Sequence, residues 1–271
     1  MQITMALSTL VSNCAAFGLW NINECDLKKS LSNLLAYLEN DCSTSLESPT
    51  ALSLISYTQQ VKDLIFNLHM ILSDTTKLKH HCDDFEFLLD LMYRIAKGYQ
   101  NNPDLRLTWL LSMAGKNIEN NNFTSAAMCL LHVSALLTEY LSMIDSDPYF
   151  KTGAALYSHL TDNILEESAV SDDVISPEEE GICESWYFSR EGLKTILEQA
   201  ATLMEKVQMF ELASQVYQIL VPILQKNKDF SKVALMHEKI AANLRKIEGI
   251  QTTKENVSDA WMSPISNTDK R

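Results

Sequence analysis

From Asp83 to Met143 apolar residues return every third or fourth place through three successive stretches. No other feature of the chain restricts its fold so strongly. Phe85, Leu88, Met92, Ile95 and Tyr99 fall on one side of a 3.6-residue helix. Asn102 and Pro103 then supply an N-cap and a first helical residue that needs no N–H. Leu105, Trp109 and Met113 mark the second helix, and the polar run Asn120, Asn121, Asn122 breaks it. A third stretch stacks Phe123, Ala126, Leu130, Val133, Leu137 and Leu141. Connections this short between helices predict antiparallel neighbours.

The same spacing recurs on both sides. Upstream, Leu27, Leu31, Leu34 and Leu38, then Val61, Leu64, Leu68 and Ile71, form two further stripes around a polar linker from Glu39 to Pro49. Downstream, Ser189 is an N-cap for the stripe Leu193, Ile196, Ala200, Leu203, Val207. The next stripe is Phe210, Ala213, Tyr217, Leu220, Leu224, with Pro222 expected to kink or end its helix. Phe230, Val233, Met236, Ile240, Leu244 and Ile247 follow, and Gly249 is placed to stop that helix. Phe123, Phe210 and Phe230 each open a helix after a polar turn. With 7 Gly and 6 Pro in 271 residues there is little material for the tight turns of a β fold. The expectation is all-α: an antiparallel helical array of the armadillo or tetratricopeptide-like repeat kind, each helix burying a face its own hairpin cannot cover. The period is too irregular to assign a tetratricopeptide array.

Charge narrows the function. A net charge of −13 opposes binding to nucleic acid or to an anionic membrane surface, both of which need clustered Lys and Arg. Residues Met1 to Asn23 carry no charge, but they lack a basic leader and are interrupted by Thr4, Ser8, Thr9, Ser12 and Asn13. Neither a signal peptide nor a membrane span fits, and a buried helix is expected there. Cys14, Cys25, Cys42, Cys82, Cys129 and Cys183 are scattered without a CxxC pair, which suits reduced thiols in the cytoplasm.

The chemistry expected from the residues is sparse. His80, His81, Cys82, Asp83 and Asp84 are adjacent, so on a helix they point in different directions and do not converge on one ion. The Asp pair instead caps the following helix. His132, His159 and His237 have no acidic or nucleophilic partner close in sequence. No phosphate-binding glycine loop, GxSxG, HExxH or kinase motif occurs. Between Lys151 and Arg190 there is no Lys or Arg, while Asp162, Glu166, Glu167, Asp172, Asp173, Glu178, Glu179, Glu180 and Glu184 are all acidic. Such a block is expected to be a solvated surface loop, with docking of a basic partner as its functional alternative. No catalytic, cofactor or metal residue is assigned.

Several long strings nevertheless resemble one family. DLMYRIAKGYQ (Asp90 to Gln100), PDLRLTWL (Pro103 to Leu110) and AAMCLLHVSALLTEYLSM (Ala126 to Met143) are similar to the start of the DOCKER domain, Dock homology region 2, of the dedicator-of-cytokinesis family, most closely its zizimin-related branch. VKDLIFNLHMILSD (Val61 to Asp74) looks like the segment before that domain, and LEESAVSDDVISPEEEGIC (Leu165 to Cys183) like a long loop inside it. The resemblance implies a helical segment at 1–82, the first lobe of the domain at 83–248 with an acidic loop at about 145–188, and a disordered tail at 249–271. It also implies a guanine-nucleotide exchange factor for Rho/Rac-type small GTPases, needing no cofactor. The strand-rich and third lobes, which grip the GTPase, find no counterpart before Arg271. A truncated or variant product is therefore expected, supporting and dimerising but inactive alone. Met209, Phe210, Tyr217 and Leu220 are the candidate homodimer contacts. The alternative is a non-catalytic helical scaffold for peptide or protein partners.

Overall fold

The helices start at residues whose side chains take up the first backbone donors. The computed structural model describes residues 84–100, 102–144, 147–169 and 185–262, with scattered helical positions between 26 and 78 and the backbone alone from 250. Helix α1 (Phe85–Gly98) follows Asp84, whose carboxylate accepts the Phe87 N–H at 3.1 Å. Helix α2 (Pro103–Glu119) follows Asn102, which accepts from the Leu105 N–H at 3.2 Å, and Pro103 takes the first position. Next come α3 (Phe123–Ile144) and two 3₁₀ segments, η1 (Pro148–Tyr157) and η2 (Asp162–Ala169). Helix α4 (Arg190–Lys206) is capped by Ser189, and α5 (Phe210–Lys226) and α6 (Phe230–Met262) complete the order. No strand occurs among the described residues.

Three helix breaks share one turn. Asn121, Gln208 and Lys228 adopt positive φ of 58°, 63° and 58°. In each case the next residue donates its N–H five residues back: Asn122 to Asn117 at 2.8 Å, Met209 to Met204 at 2.9 Å, Asp229 to Leu224 at 3.1 Å. This is the Schellman closure, usually reserved for glycine because a side chain in that conformation costs roughly 1–2 kcal/mol. The three phenylalanines flagged in the sequence then open the next helix. Two of them lie under a lysine from the following partner helix. Lys206 Nζ is 3.4 Å from the Phe123 ring centroid, and Lys246 Nζ is 4.6 Å from that of Phe210. The start of α3 thus meets the end of α4, and the start of α5 meets the later part of α6. Asn227, just past α5, bonds Glu191 in the first turn of α4 at 3.3 Å. These end-to-end contacts make α3/α4, α4/α5 and α5/α6 antiparallel.

The core lies along α3, which packs against α2, α4, η1 and η2. Leu131, Val133, Ala135, Leu136 and Leu137 have no exposed surface. Its buried hydroxyls are satisfied locally: Ser134 donates to the Leu130 carbonyl at 2.9 Å, and Thr138 to that of Ser134 at 2.8 Å. By length and composition α3 is long and apolar enough to cross a bilayer, yet over half of its apolar window is buried inside the protein. Ile71 joins Ile95 and Tyr99 in a smaller cluster with Leu105 and Trp109, so α2 is covered on two sides. That explains why Leu105 and Trp109 mark one side of α2 while Leu107, Leu110 and Ala114 bury another.

Four expectations change. Of the kink or end expected at Pro222, the end is overturned: helix α5 runs through it to Lys226, because Val221, Ile223 and Leu224 around it are buried and hold it in place. Helix α6 continues through Gly249 to Met262; a Cβ there would meet nothing within 4 Å, so no packing demands a stop. Phe230 and Leu244 are on the α6 stripe but are 67% and 52% exposed, whereas Met236 is buried. The acidic stretch is not wholly solvated: η1 and η2 are built from it and seat Phe150, Tyr157 and Ile164 in the core. Residues 170–184, 263–271, His80 to Asp83, and the stripe positions Leu27, Leu31, Leu34, Leu38, Val61, Leu64 and Leu68 lie outside the described residues.

Candidate functional site

A charged residue stands at a core-facing position of α2. Arg106 has 1% of its surface exposed, beside Leu107 and one turn before Leu110. Its partner comes from the acidic stretch. Arg106 Nε donates to Glu167 Oε2 at 2.6 Å and Nη2 to Oε1 at 2.6 Å, a two-pronged pair. Nη1 donates to the Ala96 carbonyl near the end of α1 at 3.0 Å. His132 of α3 contributes Nδ1 at 2.9 Å from Glu167 Oε1. Next to this pair, the Tyr93 hydroxyl of α1 donates to both oxygens of Glu166, at 2.9 and 2.7 Å. Two consecutive glutamates of η2 therefore bind groups on α1, α2 and α3 together, with Ile164 buried beneath them.

The electrostatics suit a tie more than a catalyst. Burial pushes the Glu167 carboxyl upward, but the hydrogen bonds and charges of His132 and Arg106 outweigh it and hold the group below the usual carboxylate range. Burial, then the bond to Glu166, pushes the Tyr93 hydroxyl up to about 12. Cys129 is free, and burial raises its thiol to about 11, so little nucleophilic thiolate is present near neutral pH. Every carboxylate oxygen of Glu167 is engaged, which leaves no lone general base.

A sign follows for acid stability. Because the folded-state value of Glu167 lies below the unfolded one, its contribution is complete above the unfolded value, near 4.3 for a free glutamate. It is lost as pH falls through the folded value. Urea midpoints taken from pH 7 downward should stay level and then fall below about pH 4. In Arg106→Met/Glu167→Met that fall should be shallower.

A second set of contacts fixes the other end of the same stretch. Asp147 caps η1 by accepting from Tyr149 N–H at 3.1 Å, and it pairs with Arg190 of α4 at 3.3 Å and with Lys226 of α5. The Lys226 bond holds its carboxyl low. At the kink in η1, Gly153 has φ 53° and ψ −138°, a conformation open essentially to glycine, and Glu139 accepts the Ala154 N–H at 2.7 Å.

The candidate dimer contacts fall mostly inside the single chain. Tyr217 and Leu220 have no exposed surface, Phe210 is 9% exposed, and Met209 is half-buried. Tyr217 accepts a hydrogen bond from Lys239 of α6 at 3.1 Å. The ionic cluster escaped sequence reading because its members lie 61 and 35 residues apart. One signal was present: an arginine in the register of buried residues implies an opposite charge brought to it by the fold.

Residues 90–249 match the family described as DHR-2, Lobe A. The chain belongs to this family. It is 49% identical over 247 residues to dedicator of cytokinesis protein 7 of Mus musculus and of Homo sapiens, which covers 91% of this chain and 11% of the relative. It is 45% identical over 240 residues to dedicator of cytokinesis protein 8 of Mus musculus, covering 89% of this chain and 11% of the relative. The DHR-2 lobe A match takes in α1 from Asp90, all of α2 to α5, both 3₁₀ segments and α6 to Gly249. The whole ionic cluster lies within it.

Proposed function

We propose that this chain acts in guanine-nucleotide exchange on Rho/Rac-type small GTPases in the cytoplasm, as the helical support of an exchange domain. On this reading it lends rigidity and a dimerising surface to GTPase-gripping elements and has no exchange activity alone. The observation that supports it most is the lobe A match over residues 90–249, joined to a helical array whose buried polar groups are spent on tying helices together. Exchange requires only differential binding of the nucleotide-free GTPase, so an array that spends its buried polar groups on holding helices together is compatible with it. A homodimer fits the large apolar side chains left on the last helix, Phe230, Leu235 and Leu244.

Release of a fluorescent guanine nucleotide from a panel of Rho-type GTPases tests the first part. The 271-residue chain is expected to leave release at the intrinsic rate. Acceleration by the chain alone would overturn the claim that it only supports. Sedimentation velocity tests the second part: a monomer at every concentration would end the dimer reading.

A further inference from the structure

The stretch 147–169 is held by polar bonds at both ends, and the two ends grip different helices. At its start, Asp147 pairs with Arg190 in the first turn of α4 and with Lys226 in the last turn of α5. Two residues on, the Tyr149 hydroxyl donates to the Ile219 carbonyl of α5 at 2.6 Å. That carbonyl lies three residues before Pro222, whose missing N–H weakens the ladder of the helix there. At the far end, Glu166 holds Tyr93 of α1, and Glu167 holds Arg106 of α2. In the middle the stretch meets α3, through Tyr157 on Thr138 at 2.9 Å and through the Ala154 N–H on Glu139. The main helix packings otherwise run from each helix to the next: α1 on α2, α2 on α3, α3 on α4, α4 on α5, α5 on α6. In such an array a helix senses its direct neighbours. The stretch 147–169 is a tie that passes over α3.

We propose that 147–169 is a two-ended strap that opens and closes as one unit, so that a change at α1 and α2 reaches α4 and α5, and the reverse. Short 3₁₀ turns hold little order by themselves, so the strap depends on its anchors. Its two halves, η1 and η2, pack on each other, and Phe150, Tyr157, Leu160 and Ile164 join one core cluster. Lifting one half therefore uncovers apolar surface under the other. Coupling between distant sites needs an element with two states that both sites bias, and the folding down of a segment is such an element. Here both anchors favour the same closed state. Both are also within reach of solvent: Lys226 is half-exposed, and Tyr93 is half-buried. Opening can start at either end without parting the helices. The inference is independent of the exchange reading above.

Amide hydrogen exchange of the full chain, resolved residue by residue, tests it. Tyr149→Phe removes the bond to Ile219 and keeps the ring, and Tyr93→Phe removes the bond to Glu166 in the same way. Neither change strands a buried charge, so both variants are expected to fold. Tyr149→Phe should speed exchange at residues 165–168, the opposite end, by about threefold, the scale of one lost hydrogen bond. Tyr93→Phe should speed exchange at Phe150 and Ala154 by a similar factor, because coupling is equal in both directions. Met236→Ala is the control. It removes a buried side chain of α6, away from the strap, and should leave both ends at the parent rates. If each tyrosine change speeds its own end alone, the ends are independent and the strap is not one unit. If Met236→Ala speeds both ends as much as the tyrosine changes do, the stretch opens with the whole protein and the proposal fails.

Discussion

Glu167→Gln is expected to destabilise the protein by about 3–5 kcal/mol, the usual cost of removing one member of a buried ion pair. The amide keeps the size of the side chain but not its charge, and Arg106, 1% exposed, is then left with only the more distant Glu166, 3.9 Å from its Nη2, as counter-ion. The two-pronged geometry at 2.6 Å also loses one acceptor, since an amide nitrogen donates. Urea unfolding at pH 7 measures the loss. Arg106→Met/Glu167→Met should cost clearly less than the single change, because no charge stays buried and apolar side chains of similar volume pack in its place. A double substitution as damaging as the single one would mean that the cluster matters through its shape or through the bond to the Ala96 carbonyl, not through its charge.

Gly192→Ala should lower stability by about 3 kcal/mol, combining overpacking with a disturbed helix cap. A Cβ on Gly192 would lie 2.3 Å from the Tyr187 carbonyl oxygen and 2.5 Å from its Cα. Main chain cannot swing aside as a flexible side chain does, so the turn at 185–189 must move. That turn carries Ser189, whose hydroxyl accepts the Gly192 N–H at 3.1 Å, and Phe188, whose ring meets Tyr140 at 4.8 Å. Gly115→Ala is the matched control. It lies inside α2, and a Cβ there would meet nothing within 4 Å, so the change should stabilise by up to about 1 kcal/mol. Equal effects at the two glycines in thermal unfolding would remove the steric explanation.

The helices were legible because their signals are local. Asn102 with Pro103, Asp84 and Ser189 begin helices as their side-chain chemistry dictates, and the stripe through Ala126, Leu130, Val133, Leu137 and Leu141 is buried throughout. What was not legible depends on residues distant in sequence. Glu167 belongs to an acidic run that reads as solvated, and only the fold brings Arg106 and His132 to it. Pro222 reads as a kink or an end and Gly249 as a stop, but buried neighbours hold the helix together around the first, and the helix continues through the second, where even an added Cβ would meet nothing within 4 Å. Phe230 and Leu244 keep helical spacing and still face outward, because periodicity gives a side chain's direction but not whether anything lies there. The positive φ of Asn121, Gln208 and Lys228 had no glycine to announce it.

The tie between Arg106 and Glu167 also bears on the order in which this protein assembles. Hairpins such as α2 with α3 close short loops and can form as soon as both arms exist, whereas a contact across 61 residues must wait for the intervening chain. During synthesis, made residue by residue at roughly 5–20 per second, the guanidinium in α2 spends several seconds with no carboxylate to receive it. Until Glu167 is made, α1 to α3 hold an arginine whose carboxylate has not yet arrived, and the two consecutive glutamates of η2 complete the tie.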